Sequence, residues 1–195
     1  MERCRLVFCG SGGQGIITAA IILAEAAVIH EGLEAVQSQS YGAAARGEVT
    51  RSDVIISDSE INFPKVIQPN ILVCLTQESF NRFYSILRPG GLMLLDCDLV
   101  EPGMRVEARQ YRLPMQKAVQ QEIGTSVVLN LCMLGALLGL RPVVTKESVV
   151  KVLKERFSGG FLPMNEKALE LGWSLAREAE PCSGEQQGRA PQATP

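Results

Sequence analysis

One short stretch constrains the fold of this chain more than any other. CRLVFC, residues 4–9, stops at Gly10, and GSGGQG, Gly10 to Gly15, leads directly into Ile16. An apolar run that halts at a glycine predicts a buried strand. Ile16 to Ile29 carries Ala, Ile and Leu with Glu25 as its only charge, which predicts a mostly buried helix ending near His30 and Gly32. A strand, a glycine turn and a buried helix in that order describe the opening unit of an α/β fold.

The rest of the chain extends the pattern. Leu33 to Gln39, Thr50 to Ser57, Ile71 to Leu75 and Leu92 to Leu95 predict further strands. Gln77 to Leu87 predicts a helix that stops at Pro89-Gly90-Gly91. Short apolar strands alternating with helical stretches predict a three-layer sandwich, a mostly parallel sheet with helices on both faces and a Rossmann-like glycine turn. The last third predicts helices at Ser126 to Leu140, Lys146 to Phe157 and Asn165 to Glu178. Gly135 and Gly139, four apart in the first of these, would let a neighbour approach closely. Residues 1–180 are expected to form one domain. Residues 181–195, rich in Pro, Gly and Gln, are expected to be a disordered tail.

Composition removes several function classes. The 19 basic residues face 21 acidic ones without a concentrated patch, which argues against nucleic acid as a partner. Val127 to Leu140 contains Asn130 and is too short for a bilayer span, and no export signal precedes Cys4, so a cytoplasmic protein with no membrane contact is expected. The six cysteines include no C-x-x-C pair, so iron–sulfur clusters are not expected on this chain. His30, the single histidine, sits at a helix end where it would cap carbonyls. Asp58, Asp96 and Asp98 read as turn residues at strand ends, and no metal is expected. No catalytic residue is assigned.

Two motifs remain. Gly10, Gly12 and Gly15 satisfy G-x-G-x-x-G, whose physical logic is that side-chain-free backbone and a helix N-terminus approach an anion. A dinucleotide site would also need a carboxylate at the end of the second strand, where this chain has Gln37-Ser38-Gln39-Ser40. No Lys followed by Ser or Thr completes a P-loop. Anion binding and pure packing both remain open for these glycines. The second motif is QSQSYGAAARGE, Gln37 to Glu48, a loop beside the glycine turn from which Ser40, Tyr41 and Arg46 could face an anion. Arg46 could equally pair with Glu48 or with another subunit.

Together, and in this order, the two motifs resemble the gamma subunit of 2-oxoacid:acceptor oxidoreductases. The family's G-x-G-G-Q-G is matched by Gly10, Gly12, Gly13, Gln14 and Gly15. Its Q-S-Y-G-P-E-A-R-G-G is matched by Gln39, Ser40, Tyr41, Gly42, Ala45, Arg46 and Gly47, with Ala43, Ala44 and Glu48 as departures. Arg51 to Phe80 and Arg88 to Asp96 are also similar to the family. The resemblance implies a subunit that is not catalytic alone, in a complex that converts a 2-oxoacid and coenzyme A to acyl-CoA and carbon dioxide while reducing ferredoxin. It implies alpha, beta and ferredoxin-like partner subunits, which would hold thiamine diphosphate, magnesium and iron–sulfur clusters. QSQSYG and ARG are closer to the 2-oxoglutarate or branched-chain type than to the pyruvate type, and 2-oxoglutarate is the expected substrate. The expected binding residues are Gly10, Gly12, Gly13, Gln14, Gly15, Ser40, Tyr41 and Arg46. A free-standing nucleotide- or coenzyme-A-binding module and a Rossmann-type dehydrogenase are the alternatives.

Overall fold

The computed structural model describes residues 3–40, 49–103 and 106–182. Six strands form one sheet: β1 (Cys4–Ser11), β2 (Glu34–Ser40), β3 (Val49–Ser57), β4 (Ile71–Cys74), β5 (Gly91–Asp96) and β6 (Ala108–Leu113), in the spatial order β2-β3-β1-β4-β5-β6. β3 runs antiparallel to both its neighbours, and the remaining pairs are parallel, so a single reversed strand interrupts an otherwise parallel sheet.

The helices are α1 (Ile16–Glu25), α2 (Gln77–Phe83), α3 (Met115–Glu122), α4 (Leu129–Leu140), α5 (Lys146–Arg156) and α6 (Phe161–Arg177). Alternation along the buried strands sorts the core. Leu6, Phe8, Val54, Ile56 and Val73 face α1, α3, α4, α5 and α6, while Val7, Cys9, Ile55, Leu72 and Met93 face the side carrying Phe80 of α2. The third layer is therefore thin on one side. No helix among the described residues is long and apolar enough to cross a membrane.

Several boundaries depart from the sequence reading. The first helix is α-helical only to Glu25, and Ala26–His30 closes it as a π-helical turn. α2 ends at Phe83, followed by a 3-10 turn at Tyr84–Ile86. A 3-10 turn at Ser126–Val128 precedes α4. α6 starts at Phe161 rather than Asn165, with Pro163 inside its first turn, where a missing N–H costs no helical bond. β6 and α3 had no expectation at all. β6, ARQYRL, is an edge strand in which only Leu113 is buried, so its apolar signal is faint. Cys182 N–H donates to Gln110 O at 2.8 Å, tying the chain to β6 at that point. The remainder of the expected tail lies outside the described residues.

α4 and α6 meet at glycine. A Cβ on Gly135 would fall 2.8 Å from the Leu169 carbonyl carbon and 3.0 Å from Trp173 N, and one on Gly172 would fall 2.9 Å from Ala136 N. These backbones touch at separations that any side chain would prevent.

Candidate functional site

β2 is antiparallel to β3, which is antiparallel to β1, so β1 and β2 end at the same edge of the sheet. Arg51 of β3 pairs with Cys9 on one side and Ser40 on the other. At about 4.8 Å per strand, the ends of β1 and β2 stand roughly 10 Å apart. The chain leaves β2 at Ser40 and re-enters the sheet at Val49, whose partner is Ser11, the first residue after Gly10. The backbone thus brings the glycine turn and Gln37–Ser40, the described part of the second motif, to one edge. Tyr41 and Arg46 lie outside the described residues, and of Ser40 only the backbone position in β2 is described.

Within the glycine turn the residues divide by what they touch. Gly10 leaves room for the Gln14 side chain, whose Oε1 would stand 2.5 Å from a Cβ there. That oxygen accepts the Ser11 N–H at 2.7 Å, and Gln14 Nε2 donates to Leu75 O at 3.4 Å. Gln14, expected among the binding residues, therefore spends its amide fastening the turn to the end of β4. Gly13 (φ 88°) and Gly15 (φ 70°) hold left-handed backbone that side chains disfavour. Gly12 is different: it is exposed, and among the described residues a Cβ there would meet only Thr50 Oγ1, at 3.9 Å.

Gly15 also accommodates a residue the sequence reading did not place in the site. Asn130, near the start of α4, donates from Nδ2 to Gly15 O at 3.2 Å, and its amide occupies the space a Cβ would need. Its Oδ1 is buried and has no hydrogen-bond partner among the described residues. The signal was present in the sequence, since Asn130 is a lone amide in an apolar segment.

α1 begins at this turn with no side-chain cap and no acidic residue in its first turn. α4 and α6 likewise start without a side-chain cap from their N-cap residues, whereas α2, α3 and α5 are closed. Thr76 and Ser79 form a reciprocal capping box on α2, Thr145 Oγ1 accepts the Ser148 N–H on α5, and Asp96 Oδ2 accepts the Gln116 N–H of α3 at 2.6 Å. Among the described residues no side chain caps the first N–H groups of α1, and the helix dipole there favours negative charge.

The other sequence candidates fall elsewhere. His30 Nε2 lies 3.4 Å from Glu155 Oε1, so it faces a carboxylate on α5 rather than the helix carbonyls it was expected to cap. Asp96 is consumed as the cap of α3 and also accepts the Asp98 N–H at 2.9 Å. Burial raises its carboxyl above the ordinary range, against the lowering effect of those N–H bonds. Arg51, close to the same sheet edge, is bound bidentately to Asp53 at 2.6 and 2.9 Å and donates to Val66 O.

Residues 5–175 match the family model described as pyruvate ferredoxin/flavodoxin oxidoreductase. The 2-oxoglutarate synthase subunit KorC of Methanocaldococcus jannaschii is 42% identical over 178 residues, covering 90% of this chain and 95% of that protein. Pyruvate synthase subunit PorC of the same organism is 27% identical over 86% of this chain and 93% of its own length. The crystal structure of a keto/oxoacid ferredoxin oxidoreductase gamma subunit from Geobacter sulfurreducens superposes with a TM-score of 0.83 at 37% identity, covering 90% of this chain and 97% of that one. With a match along nearly its whole length, this chain belongs to the pyruvate ferredoxin/flavodoxin oxidoreductase family, as a protein of the gamma-subunit type.

Proposed function

We propose that this chain is the gamma subunit of a 2-oxoglutarate:ferredoxin oxidoreductase and does no chemistry alone. In the complex, 2-oxoglutarate and coenzyme A give succinyl-CoA and carbon dioxide, and two electrons pass to ferredoxin. The observation that carries the choice of substrate is the contrast between two relatives from one organism: 42% identity to the 2-oxoglutarate synthase subunit against 27% to the pyruvate synthase subunit, over similar shares of this chain.

The donor chemistry of the chain suits a cofactor-free role. Among the described residues no three His, Cys, Asp or Glu side chains converge. Cys9 and Cys74 touch, with sulfurs 3.3 Å apart, but both are fully buried between strands without further thiols around them. Iron–sulfur clusters need closely grouped thiolates, so thiamine diphosphate, magnesium and the clusters are assigned to the alpha, beta and ferredoxin-like subunits. The working face in this proposal is Gly12, Gly13 and the start of α1, to which Tyr41 and Arg46, following β2 in sequence, are proposed to contribute. That face would receive an anionic group of coenzyme A or a partner subunit. Residues 1–180 act as one unit in this reading, with the final residues as an appendage.

Co-expression with the thiamine-binding and ferredoxin-like subunits tests the proposal. The complex should co-purify and reduce a viologen dye with 2-oxoglutarate and coenzyme A, at a rate well above that with pyruvate or 2-oxoisovalerate. Arg46→Ala should lower that rate or prevent assembly, which gel filtration separates. A preference for pyruvate, or turnover by this chain in isolation, refutes the assignment.

A further inference from the structure

Cys9, near the end of β1, and Cys74, at the end of β4, are paired directly across neighbouring parallel strands. Both side chains project to the side of the sheet that carries α2, and both are fully buried there. Paired strands stand about 4.8 Å apart, inside the ~4.4–6.8 Å that a disulfide spans between Cα atoms. Cys9 Sγ donates to Val73 O at 3.1 Å and lies 3.3 Å from Cys74 Sγ. Two sulfurs at 3.3 Å need approach by only roughly 1.2 Å to reach bonding distance, which side-chain rotation supplies without displacing either strand.

The pair lies directly beneath the glycine turn. Cys9 O accepts the Leu75 N–H at 2.9 Å, and Leu75 O accepts from Gln14 Nε2 at 3.4 Å, the side chain that fastens the turn. A bridge here would join β1 to β4 covalently at the residue before Gly10. Access to the sulfurs is the opposing consideration. Burial first, then the neighbouring Cys9 thiol, holds the Cys74 thiol well above its ordinary range, against the lowering effect of a hydrogen bond with Ser79. Thiolate, the reactive form, is therefore scarce while the protein is closed. The cover over Cys74 includes Ser79 of α2, a helix of seven residues in which only Ser79 and Phe80 are buried. Elements with few buried contacts open locally at low free energy. Such an opening admits a small uncharged oxidant more readily than a bulky disulfide.

We propose that Cys9 and Cys74 form a reversible disulfide in response to hydrogen peroxide, independently of the function proposed above. One sulfur attacks a peroxide oxygen and keeps it as a sulfenic acid, and the other peroxide oxygen leaves as water. The second sulfur then attacks the sulfenic sulfur, forming the S–S bond and releasing a second water. Two S–H bonds and one O–O bond break, while one S–S bond and two O–H bonds form. The sulfurs together lose two electrons, and the peroxide gains them. A dithiol restores both thiols by exchange.

The test exposes the full chain, purified without air, to hydrogen peroxide, alkylates it in denaturant and maps it by peptide mass spectrometry. The expected product is a peptide pair linked through Cys9 and Cys74, formed more slowly than exposed Cys182 is oxidised and lost on treatment with dithiothreitol. Oxidised protein should unfold at a Tm at least about 5 °C higher, because the bridge ties positions 65 apart in the chain. Cys9→Ala should show neither the linkage nor the Tm gain, and the wild-type map decides the question even where that variant fails to fold. Complete oxidation of Cys182 with Cys9 and Cys74 unlinked, linkage only in protein unfolded by guanidinium chloride, a lowered Tm on oxidation, or a Tm gain that persists in folded Cys9→Ala would each overturn the proposal.

Discussion

Replacing Gly135 by Ala sets two well-characterised effects against each other, so the sign of the result is informative. Gly135 lies in the middle of α4, where Ala is favoured over Gly by about 0.8–1 kcal/mol on helix propensity. Propensity alone predicts stabilisation. The crossing with α6 predicts the opposite. The new methyl would overlap the Leu169 carbonyl oxygen, stand 2.8 Å from its carbon and 3.0 Å from Trp173 N. Carbon atoms settle about 3.5–4.0 Å apart, so the two helices must separate by about 1 Å. The obstacle is backbone, which no rotamer change relieves. Overpacking of this kind costs about 1–3 kcal/mol and occasionally more, and a backbone clash belongs at the upper end. The expected net loss is about 2 kcal/mol, or roughly 4–8 °C in Tm at about 2–4 °C per kcal/mol for a domain of this size. Thermal unfolding followed by circular dichroism and calorimetry measures it. An unchanged or raised Tm would mean that the helices do not cross at these glycines.

Three further outcomes follow from particular environments. Of the six thiols, exposed Cys182 should react promptly with Ellman's reagent at pH 8 and half-buried Cys97 more slowly, because burial and then Asp98 and Asp96 raise its pKa. Burial also raises Cys74 and pushes Cys132 up to about 12, so prompt labelling of more than two thiols in native protein would contradict the packing. Asp96 has a folded pKa raised above its ordinary value, so its contribution to stability is fully present below the unfolded carboxylate pKa and declines as pH rises through the folded one. The stability difference between wild type and Asp96→Asn should therefore grow in favour of wild type as pH falls from neutrality toward about 4, and a difference that shrinks on acidification would reverse the reasoning. Gly12→Ala should leave the Tm of the isolated chain unchanged or raise it slightly, because the new methyl meets nothing closer than 3.9 Å and Gly→Ala at a compatible site gains about 0.4–1 kcal/mol. A marked drop would show that Gly12 serves internal packing.

How much of the fold was legible depends on how strongly burial marks each segment. β1, β4 and β5 are covered on both faces, so they read as continuous apolar runs and were placed within two residues at either end. β6 is an edge strand with one buried residue, and the parallel ladder to β5 defines it more than its own side chains do. α3 is short and follows Pro114 at its N-cap, and its side-chain cap comes from Asp96, distant in sequence, so no local signature announces it. The reversal of β3 follows from the number of residues between β2 and β3, eight, too few to carry a helical crossover back to the starting edge. Gly135 and Gly139 did announce a close approach, but the partner, with Gly172 pressed against Cys132 and Ala136, lies on another helix and is visible only in three dimensions.

The site teaches a narrower lesson about glycine motifs. A string of glycines in a sequence does not say whether each is needed for a neighbour inside the chain or for something outside it. Here Gly10 yields space to Gln14 and Gly15 yields it to Asn130, while Gly13 and Gly15 supply left-handed backbone. Those three would be required in any protein with this turn, ligand or not. Gly12 alone has neither a crowding neighbour nor a positive φ, yet it sits beside the uncapped start of α1. Gly10, Gly13 and Gly15 thus have reasons inside the chain, and Gly12 is the position at which we propose that a ligand or partner subunit makes itself felt.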